Sequence, residues 1–347
     1  MRRMKTRASR EPTRASSSAR YASRRGLAAI AGRLSRARRI LAFCHIAPDG
    51  DALGSLLGLG WLLKSLPPEE QRKTTLVCAD GVPVQFQFLP GSGEILSEPP
   101  SQTWDAIVAL DSSDERRLGD CFRPATEGGG APVLVLDHHV TNLNFGTLNY
   151  VDPAAAATAQ VIVDLADALR APIGPEAATC LLTGLVTDTL SFRTSNVTPE
   201  VMCVAARLMD EGANLYEITE RALSQKPLNV MRLWGLALAG LHQERDVVWA
   251  LITREMRAQA GALDTGDGGL ASFLINAPEA KVAAVFSEKS DGQVEIGLRA
   301  RNGLDVSRLA LALGGGGHPQ AAGCTLPGPL ADAEKRTLPL LFACSES

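Results

Sequence analysis

The sequence predicts an α/β protein: a parallel β-sheet covered by helices, followed by a smaller α+β domain. Short apolar runs such as 133–136 end abruptly in polar residues, which is typical of buried parallel strands. Segments with helical periodicity separate these runs, and this alternation indicates strand–helix–strand units. After residue 227 the apolar runs follow one another with fewer helices between them, which favours a second domain of mixed architecture.

A chain of 347 residues is long enough for two domains that each bury a core. We expect a basic disordered tail at 1–25, a parallel-sheet domain at 26–222, a linker with a helix at 223–243 and the α+β domain at 244–347. The tail is rich in Arg and Ser and has no apolar periodicity. A solvated extension or over-extended start codon, an arm that contacts nucleic acid and an organellar transit peptide all fit it.

The individual elements follow from periodicity and from helix-breaking residues. Leu27, Ile30 and Leu34 share one face of the first helix, and Pro67-Pro68 ends the second. Helices are predicted at about 26–38, 53–66, 154–169, 175–189, 198–211, 215–223, 230–241 and 305–313. Strands are predicted at about 40–44, 74–79, 104–110, 133–136, 247–252, 281–287 and 294–301.

Composition and charge exclude several classes of protein. No apolar run approaches the roughly 20 residues that span a bilayer. The seven cysteines stand singly and form no C-x-x-C pair, so we expect reduced core residues in a cytoplasmic protein rather than a zinc ribbon or disulfides. Residues 1–40 hold thirteen Lys and Arg and one Glu, and the remainder is strongly acidic. An acidic body does not suit duplex nucleic acid but suits carboxylates that divalent metals neutralise.

Chemically competent side chains gather where the predicted strands end. His45, Asp49 and Asp51 come from one turn after the first strand, in which Pro48 and Gly50 bend the loop so that three ligands can converge.

Two further strand ends and one helix add to this set. Asp111 and His138 follow the strands at 104–110 and 133–136. Asp188 shares a helical face with Leu181 and Leu185 and is predicted to be buried. Gly184 on that face lets another backbone approach closely.

Electrostatics argues that these groups hold metal ions. Four carboxylates in one pocket repel each other by about 4 kcal/mol per pair at about 4 Å and an effective dielectric of about 20. Two divalent cations cancel the four charges, and a mixed N/O ligand set without sulfur favours manganese. Two metal ions about 3.5–4 Å apart stabilise both oxygens of an in-line displacement at phosphorus. Each residue alone is more typical of a structural role, and only the combination indicates a site.

Six segments resemble those of a known family. The segments His45-Ile-Ala-Pro-Asp-Gly-Asp-Ala-Leu-Gly-Ser55, Asp111-Ser-Ser113, Asp137-His-His139 and Gly184-Leu-Val-Thr-Asp188 resemble the four motifs of the DHH phosphoesterase superfamily. Arg299-Ala-Arg301 and the glycine-rich segment 314–323 resemble its associated C-terminal substrate domain, DHHA1. The similarity covers about residues 26–345. Within the superfamily the chain resembles the bifunctional oligoribonuclease and adenosine 3′,5′-bisphosphate phosphatase (nanoRNase) type.

The resemblance implies a role for each motif residue. His45 and Asp49 would hold one manganese ion, while Asp51, His138 and Asp188 would hold the other. Asp111 would bridge the two ions and so count among the catalytic residues. His139 would face the substrate phosphate as an acid or phosphate ligand, and Asp137 would orient a neighbouring histidine.

In the second domain we expect a clamp on a terminal nucleotide. Arg299 and Arg301 stand two apart on a predicted strand and therefore share a face, and Arg suits bidentate phosphate recognition. Gly315, Gly316 and Gly317 would either expose N–H groups as an anion nest beside His318 or form a flexible turn. Arg116 and Arg117 either border the substrate cleft or are solvated charges, which the sequence leaves open.

The resemblance implies a metal-dependent phosphoesterase that releases nucleoside monophosphates from short single-stranded RNAs (dinucleotides to pentanucleotides) or phosphate from adenosine 3′,5′-bisphosphate. The substrate would lie between the domains, with hinge opening for release. Cyclic or linear dinucleotide cleavage is the enzymatic alternative, and a non-catalytic regulatory protein that binds metal and nucleotide is the alternative from another class. No duplex or membrane partner is expected, and the oligomeric state, including a homodimer, stays open.

Overall fold

The computed structural model describes residues 26–67, 73–127, 130–263, 265–301 and 303–346. The predicted tail at 1–25 lies outside these ranges. The described residues form two compact units, one that ends at Gln225 and one that begins at Lys226.

The first unit contains the predicted parallel sheet. Its five strands stand in the order β2-β1-β3-β4-β5, and all neighbours are parallel. The strands are β1 (Arg39–Phe43), β2 (Lys73–Val77), β3 (Ala106–Leu110), β4 (Val133–Asp137) and β5 (Leu148–Val151). The prediction of an α/β fold is therefore confirmed. The sequence did not predict β5, because this edge strand is short and only partly buried and lacks a continuous apolar run.

Helices cover both faces of this sheet. They are α1 (26–34), α2 (Gly50–Lys64), α3 (Phe122–Glu127), α4 (Thr158–Leu169), α5 (Pro175–Asp188), α6 (Pro199–Asp210) and α7 (Leu215–Thr219). Along β1, Ile40 and Ala42 pack into the core under α2, whereas Leu41 and Phe43 pack on the opposite face against Phe122. This alternation is why the strand is apolar throughout.

Glycines bring α2 and α5 close together. A Cβ at Gly54 would stand 2.9 Å from the backbone N of Gly184, and a Cβ at Gly184 would stand 2.6 Å from Asp51 Oδ1. Neither distance is tolerable for a side chain. The predicted close approach at Gly184 is thus present, and it delivers the Asp51 carboxylate to the end of α5.

The second unit is a six-stranded mixed sheet in the order β10-β11-β9-β8-β7-β6, in which only β7 and β8 are parallel neighbours. Its strands are β6 (His242–Glu244), β7 (Val247–Ile252), β8 (Val282–Glu288), β9 (Gln293–Ala300), β10 (Gly316–His318) and β11 (Ala321–Pro327). Its helices are α8 (Leu228–Ala239), α9 (Arg254–Ala260), α10 (Leu270–Leu274), α11 (Val306–Ala312) and α12 (Leu330–Ser345). Leu233 and Ala237 of α8, which the sequence placed in a linker, pack in this unit's core.

Apolar side chains fill both faces of the mixed sheet. Val247 and Trp249 point into one core, and Val248 and Ala250 of the same strand point into the other. Within the described ranges, no helix combines the length and apolar character that a membrane crossing requires.

Candidate active site

The carboxyl edge of the parallel sheet gathers the candidate residues of the first unit. His45 follows β1, Asp111 follows β3 and His138 follows β4, as predicted. Asp188 is the last residue of α5. Asp49 caps α2, and its Oδ1 accepts the N–H groups of residues 51 and 52 at 3.0 Å each.

One group of ligand atoms surrounds His45. Its Nε2 lies 3.8 Å from Asp49 Oδ1 and 3.6 Å from Asp111 Oδ2. Asp49 is the exposed member, with 58% of its side chain accessible, whereas His45 and Asp111 are buried. This group therefore has one open side.

A second group surrounds His138. Its Nε2 lies 4.0 Å from Asp51 Oδ2, 3.7 Å from Asp188 Oδ2 and 3.7 Å from Asp111 Oδ1. Asp111 thus directs one carboxylate oxygen toward each histidine and stands between the two groups. Its backbone is left-handed, with φ +54°, which is uncommon for any residue except glycine. The sequence predicted the convergence of these six residues, and the structure brings all six together.

The start of α4 supports the two central carboxylates. The N–H groups of Thr158 and Ala159 donate to Asp51 Oδ2 and Oδ1 at 2.6 and 2.9 Å, and the Thr158 hydroxyl donates to Asp111 Oδ1 at 2.9 Å. The positive end of the helix dipole also faces Asp51. Sequence reasoning missed Thr158 because it began this helix at Ala154. The first polar residue after the alanine run was the available signal.

Asp137 fixes the orientation of His139. Its Oδ1 accepts hydrogen bonds from the ring Nδ1 of His139 and from the backbone N–H of His138, each at 2.7 Å. Its Oδ2 accepts the side-chain amide of Asn142 at 2.6 Å, and the same amide donates to the carbonyl of Ser112 at 3.0 Å. These contacts occupy both oxygens of a fully buried carboxylate. Sequence reasoning also missed Asn142, because a lone amide in a loop carries no signal.

The carboxylates resist ionisation to different extents. Burial raises the pKa of Asp51 well above its ordinary value, and the charges of Asp111 and Asp188 raise it further. Burial likewise raises the pKa of Asp188, with Asp49 and Asp111 adding to the effect. Burial opposes ionisation of Asp111 too, but the three adjacent imidazoles outweigh it and the pKa of Asp111 falls.

The neighbouring carboxylates raise the pKa of two of the histidines, His45 and His139. Burial lowers the pKa of His45, but Asp111 and Asp49 outweigh burial and the net shift is upward. For His139, burial acts downward, while the hydrogen bond to Asp137 and the charge of Asp111 raise its pKa to about 9. The imidazoles therefore offset the negative charge of Asp111 more fully than that of Asp51 or Asp188.

These residues fit a pair of divalent cations. Two ligand atoms on one ion stand about 2.0–2.2 Å from it and so at most about 4.4 Å apart. The histidine-to-carboxylate separations of 3.6 to 4.0 Å in the two groups meet that limit. A cation in each group would also stabilise the ionised forms of Asp51 and Asp188, which burial and mutual repulsion disfavour. Asp188 was predicted to be buried, but 23% of its side chain is exposed because it ends its helix.

The second unit contains a cavity of about 540 Å³. Arg299 and Gly315 line it, together with Asp267. Arg299 Nε donates to the hydroxyl of Ser272 at 2.9 Å. Burial lowers the pKa of Arg299, and the charge of Asp267 acts in the opposite direction.

The other predicted residues of this unit that the structure describes in full do not line the cavity. Arg301 follows the end of β9, is exposed and donates to the carbonyl of Ala277 at 2.9 Å. Gly316, Gly317 and His318 form β10 and pair with β11, so this part of the glycine run is an edge strand rather than a free turn. Of the predicted arginine pair, only Arg299 lies within the strand and lines the cavity, and a shared face of the two side chains stays a prediction.

Comparisons with known proteins agree with this architecture. Residues 39–185 match the model of the DHH family, N-terminal domain, and residues 242–341 match that of the DHHA1 domain. The "Bifunctional oligoribonuclease and PAP phosphatase NrnA" of Thermus thermophilus is 40% identical over 289 residues, which cover 82% of this chain and 83% of that protein. The protein of the same name from Bacillus subtilis is 26% identical, over 81% of this chain and 87% of its own length.

A solved structure supports the fold alone. The exopolyphosphatase-related protein of Bacteroides fragilis superimposes with a TM-score of 0.84 at 22% sequence identity, and the match covers 93% of this chain and 97% of that one. The 40% identity over most of both chains establishes kinship independently of the fold. The chain belongs to the DHH phosphoesterase family, with a DHH domain that is followed by a DHHA1 domain.

Proposed function

We propose that this protein is a metal-dependent phosphoesterase that hydrolyses short single-stranded oligoribonucleotides to nucleoside monophosphates and adenosine 3′,5′-bisphosphate to AMP and phosphate. The relatives from Thermus thermophilus and Bacillus subtilis carry the name of an oligoribonuclease and PAP phosphatase. Both align with this chain over more than four fifths of its length.

One observation carries the proposal. The two carboxylate oxygens of Asp111 face two different groups of ligand atoms, at 3.6 and 3.7 Å from the histidine of each group. Two adjacent cation sites that share one carboxylate are the arrangement that phosphoryl chemistry uses to hold both reacting oxygens.

The cations are proposed to be two Mn²⁺ ions. His45 and Asp49 would hold one, Asp51, His138 and Asp188 would hold the other, and Asp111 would bind both. Oxygen and imidazole ligands without sulfur suit manganese. When bound, the ions would neutralise charge that develops on the phosphate and make water a better nucleophile.

His139 is proposed to act on the substrate phosphate. Its hydrogen bond to Asp137 occupies Nδ1, so Nε2 is the ring atom that would donate to a phosphate oxygen or to the leaving group. Asp137 would hold the ring in that orientation, and Asn142 would hold Asp137. In the second unit, Arg299 would bind a further phosphate or polar edge of the nucleotide from within its cavity.

The test is a product assay on a panel of substrates with added Mn²⁺. The panel holds dinucleotide to pentanucleotide RNAs with a 5′ label, adenosine 3′,5′-bisphosphate, cyclic dinucleotides and pyrophosphate. We expect turnover of the dinucleotide and of the bisphosphate, and loss of both in Asp111→Ala and His139→Ala. Asp120→Asn, an exposed carboxylate in the same unit, is the control and should retain activity.

Two results would contradict the proposal. Cleavage of cyclic dinucleotides in preference to linear ones would assign a different substrate to the same site. Normal nucleotide binding by the parent and by both variants, without hydrolysis of any substrate, would make the protein a binding protein.

A further inference from the structure

Arg117 lies beside the candidate metal ligands although no motif contains it. It belongs to the 3₁₀ turn Glu115–Leu118, which follows β3 and Asp111. The backbone N–H of Ile46 donates to the carbonyl of Arg117 at 2.6 Å. Because Ile46 directly follows His45, this hydrogen bond places the Arg117 backbone next to the first group of ligands.

The turn is fixed rather than loosely attached. The Ser112 hydroxyl donates to the carbonyl of Asp114 at 2.8 Å, and the Asp114 carboxylate accepts the N–H of Arg116 at 2.8 Å. Asn142, which binds Asp137, also donates to the carbonyl of Ser112 at 3.0 Å. The turn that carries Arg117 is therefore connected to the loop that carries His139.

The two arginines of this turn have different surroundings. Arg116 pairs with Asp114 at 3.4 Å, and 82% of its side chain is exposed. Arg117 is half-buried, and its guanidinium forms neither a hydrogen bond nor an ion pair with any residue in the described part of the chain. Its positive charge lowers the pKa of both His45 and His139, so the guanidinium lies within electrostatic range of both imidazoles.

The balance of charge at the site indicates that the Arg117 guanidinium suits a bound anion. Two divalent cations would neutralise Asp49, Asp51, Asp111 and Asp188, which leaves the charge of a substrate phosphate uncompensated. A half-buried guanidinium without a carboxylate partner is unfavourable by itself and becomes favourable when an anion binds beside it. Its planar fork matches two phosphate oxygens.

We propose that Arg117 binds the phosphate under attack and positions it between His139 and the metal ligands. This inference rests on the proposed phosphoesterase function. In the bound complex the guanidinium donates to non-bridging oxygens of that phosphate, and Arg116 stays paired with Asp114 and takes no part. Arg117 thus adds a substrate-binding residue from a turn outside the four motifs.

The experiment compares Arg117→Ala and Arg117→Lys with Arg116→Ala, a matched control one residue away. Calorimetry measures binding of inorganic phosphate and of AMP to the Mn²⁺-loaded proteins, and separate titrations measure Mn²⁺ affinity. Steady-state kinetics with a dinucleotide supply kcat and KM. We expect Arg117→Ala to weaken phosphate binding and kcat/KM by about 10- to 100-fold, the range for a hydrogen bond to a charged group. Mn²⁺ affinity should change by less than about twofold.

Arg117→Lys should recover part of the loss, because lysine restores the charge without the fork, and Arg116→Ala should match the parent. Equal losses in the two alanine variants would reduce the effect to general electrostatics and overturn the proposal. Lost Mn²⁺ affinity in Arg117→Ala would assign the residue a structural role and overturn it as well. Should the parent hydrolyse nothing, the phosphoesterase function fails while the phosphate titration still decides for or against Arg117.

Discussion

The two units present different kinds of candidate site. In the first unit five carboxylates and three imidazoles from distant segments meet at one sheet edge, and neighbouring backbone and side chains hold them in place. In the second unit Arg299 lines a cavity whose wall includes several glycines. The first site depends on its charged side chains. The second depends on Arg299 and equally on the space that its glycines leave open. Substitutions can therefore test charge and space in each unit separately.

The largest expected difference between the two units is their response to added metal ions. A ligand that binds only the folded protein at about a thousandfold above its Kd stabilises it by about 4 kcal/mol. We expect Mn²⁺ to increase hydrogen-exchange protection in peptides from β1, β3, β4 and α5, and to leave peptides from β9 and β11 unchanged. Asp111→Asn should abolish most of the gain. Equal protection of both sets of peptides would erase the distinction.

Gly184→Ala tests how tightly the first site is packed. The added Cβ would meet Asp51 Oδ1 at 2.6 Å and Ala159 Cβ at 2.8 Å. We expect a loss of about 2–3 kcal/mol in unfolding free energy together with weaker Mn²⁺ binding. Gly32→Ala is the control, because a Cβ there meets nothing within 4 Å, and it should stabilise the protein slightly. Similar stability of the two variants in chemical denaturation would contradict the packing argument.

Arg299→Ala tests the charge in the second site. Loss of a charged hydrogen-bond donor should raise KM for a dinucleotide about tenfold with little change in kcat. Arg301→Ala removes an exposed guanidinium that bonds a carbonyl at 2.9 Å and should have a much smaller effect. A larger rise in KM for Arg301→Ala than for Arg299→Ala would assign the main substrate contact to Arg301 and would contradict the role proposed for the cavity.

Gly315→Ala and Gly316→Ala test the space in the second site. A Cβ at Gly315 would collide with the backbone of Gly323 and with Cys324, whereas one at Gly316 meets nothing within 4 Å. We expect Gly315→Ala to destabilise the protein by about 1–2 kcal/mol and Gly316→Ala to leave its stability nearly unchanged. Thermal unfolding of the two variants measures the difference. No difference between them would mean that β10 adjusts freely.

The sequence predicted the first site well because its signals are local. An apolar run in the sequence marks each of the strands that precede His45, Asp111 and His138. Parallel strands necessarily bring their carboxyl ends to one edge of the sheet. Supporting groups such as Thr158 and Asn142 could not be predicted, because their roles depend on which loop packs against which carboxylate.

The second unit was predicted less completely for a physical reason. The short elements β6, α9 and α10 bury too few residues to show a period, and β11 contains Gly and Thr among its apolar residues. Along β9, buried residues alternate with exposed or partly buried ones, so the run 293–300 looks half polar. Arg301 was placed on a strand that ends one residue earlier, and element ends are the least certain part of any such prediction.

At Asp111, whose backbone is left-handed with φ +54°, we expect thermal stability and catalytic turnover to favour different residues. Glycine adopts this conformation without strain and Asn adopts it as readily as Asp, whereas the carboxylate of Asp111 is buried among other acids. Variants chosen only for survival at high temperature in the absence of metal should accumulate Gly or Asn at this position. Thermostability engineering that ignores turnover would therefore discard the shared carboxylate first.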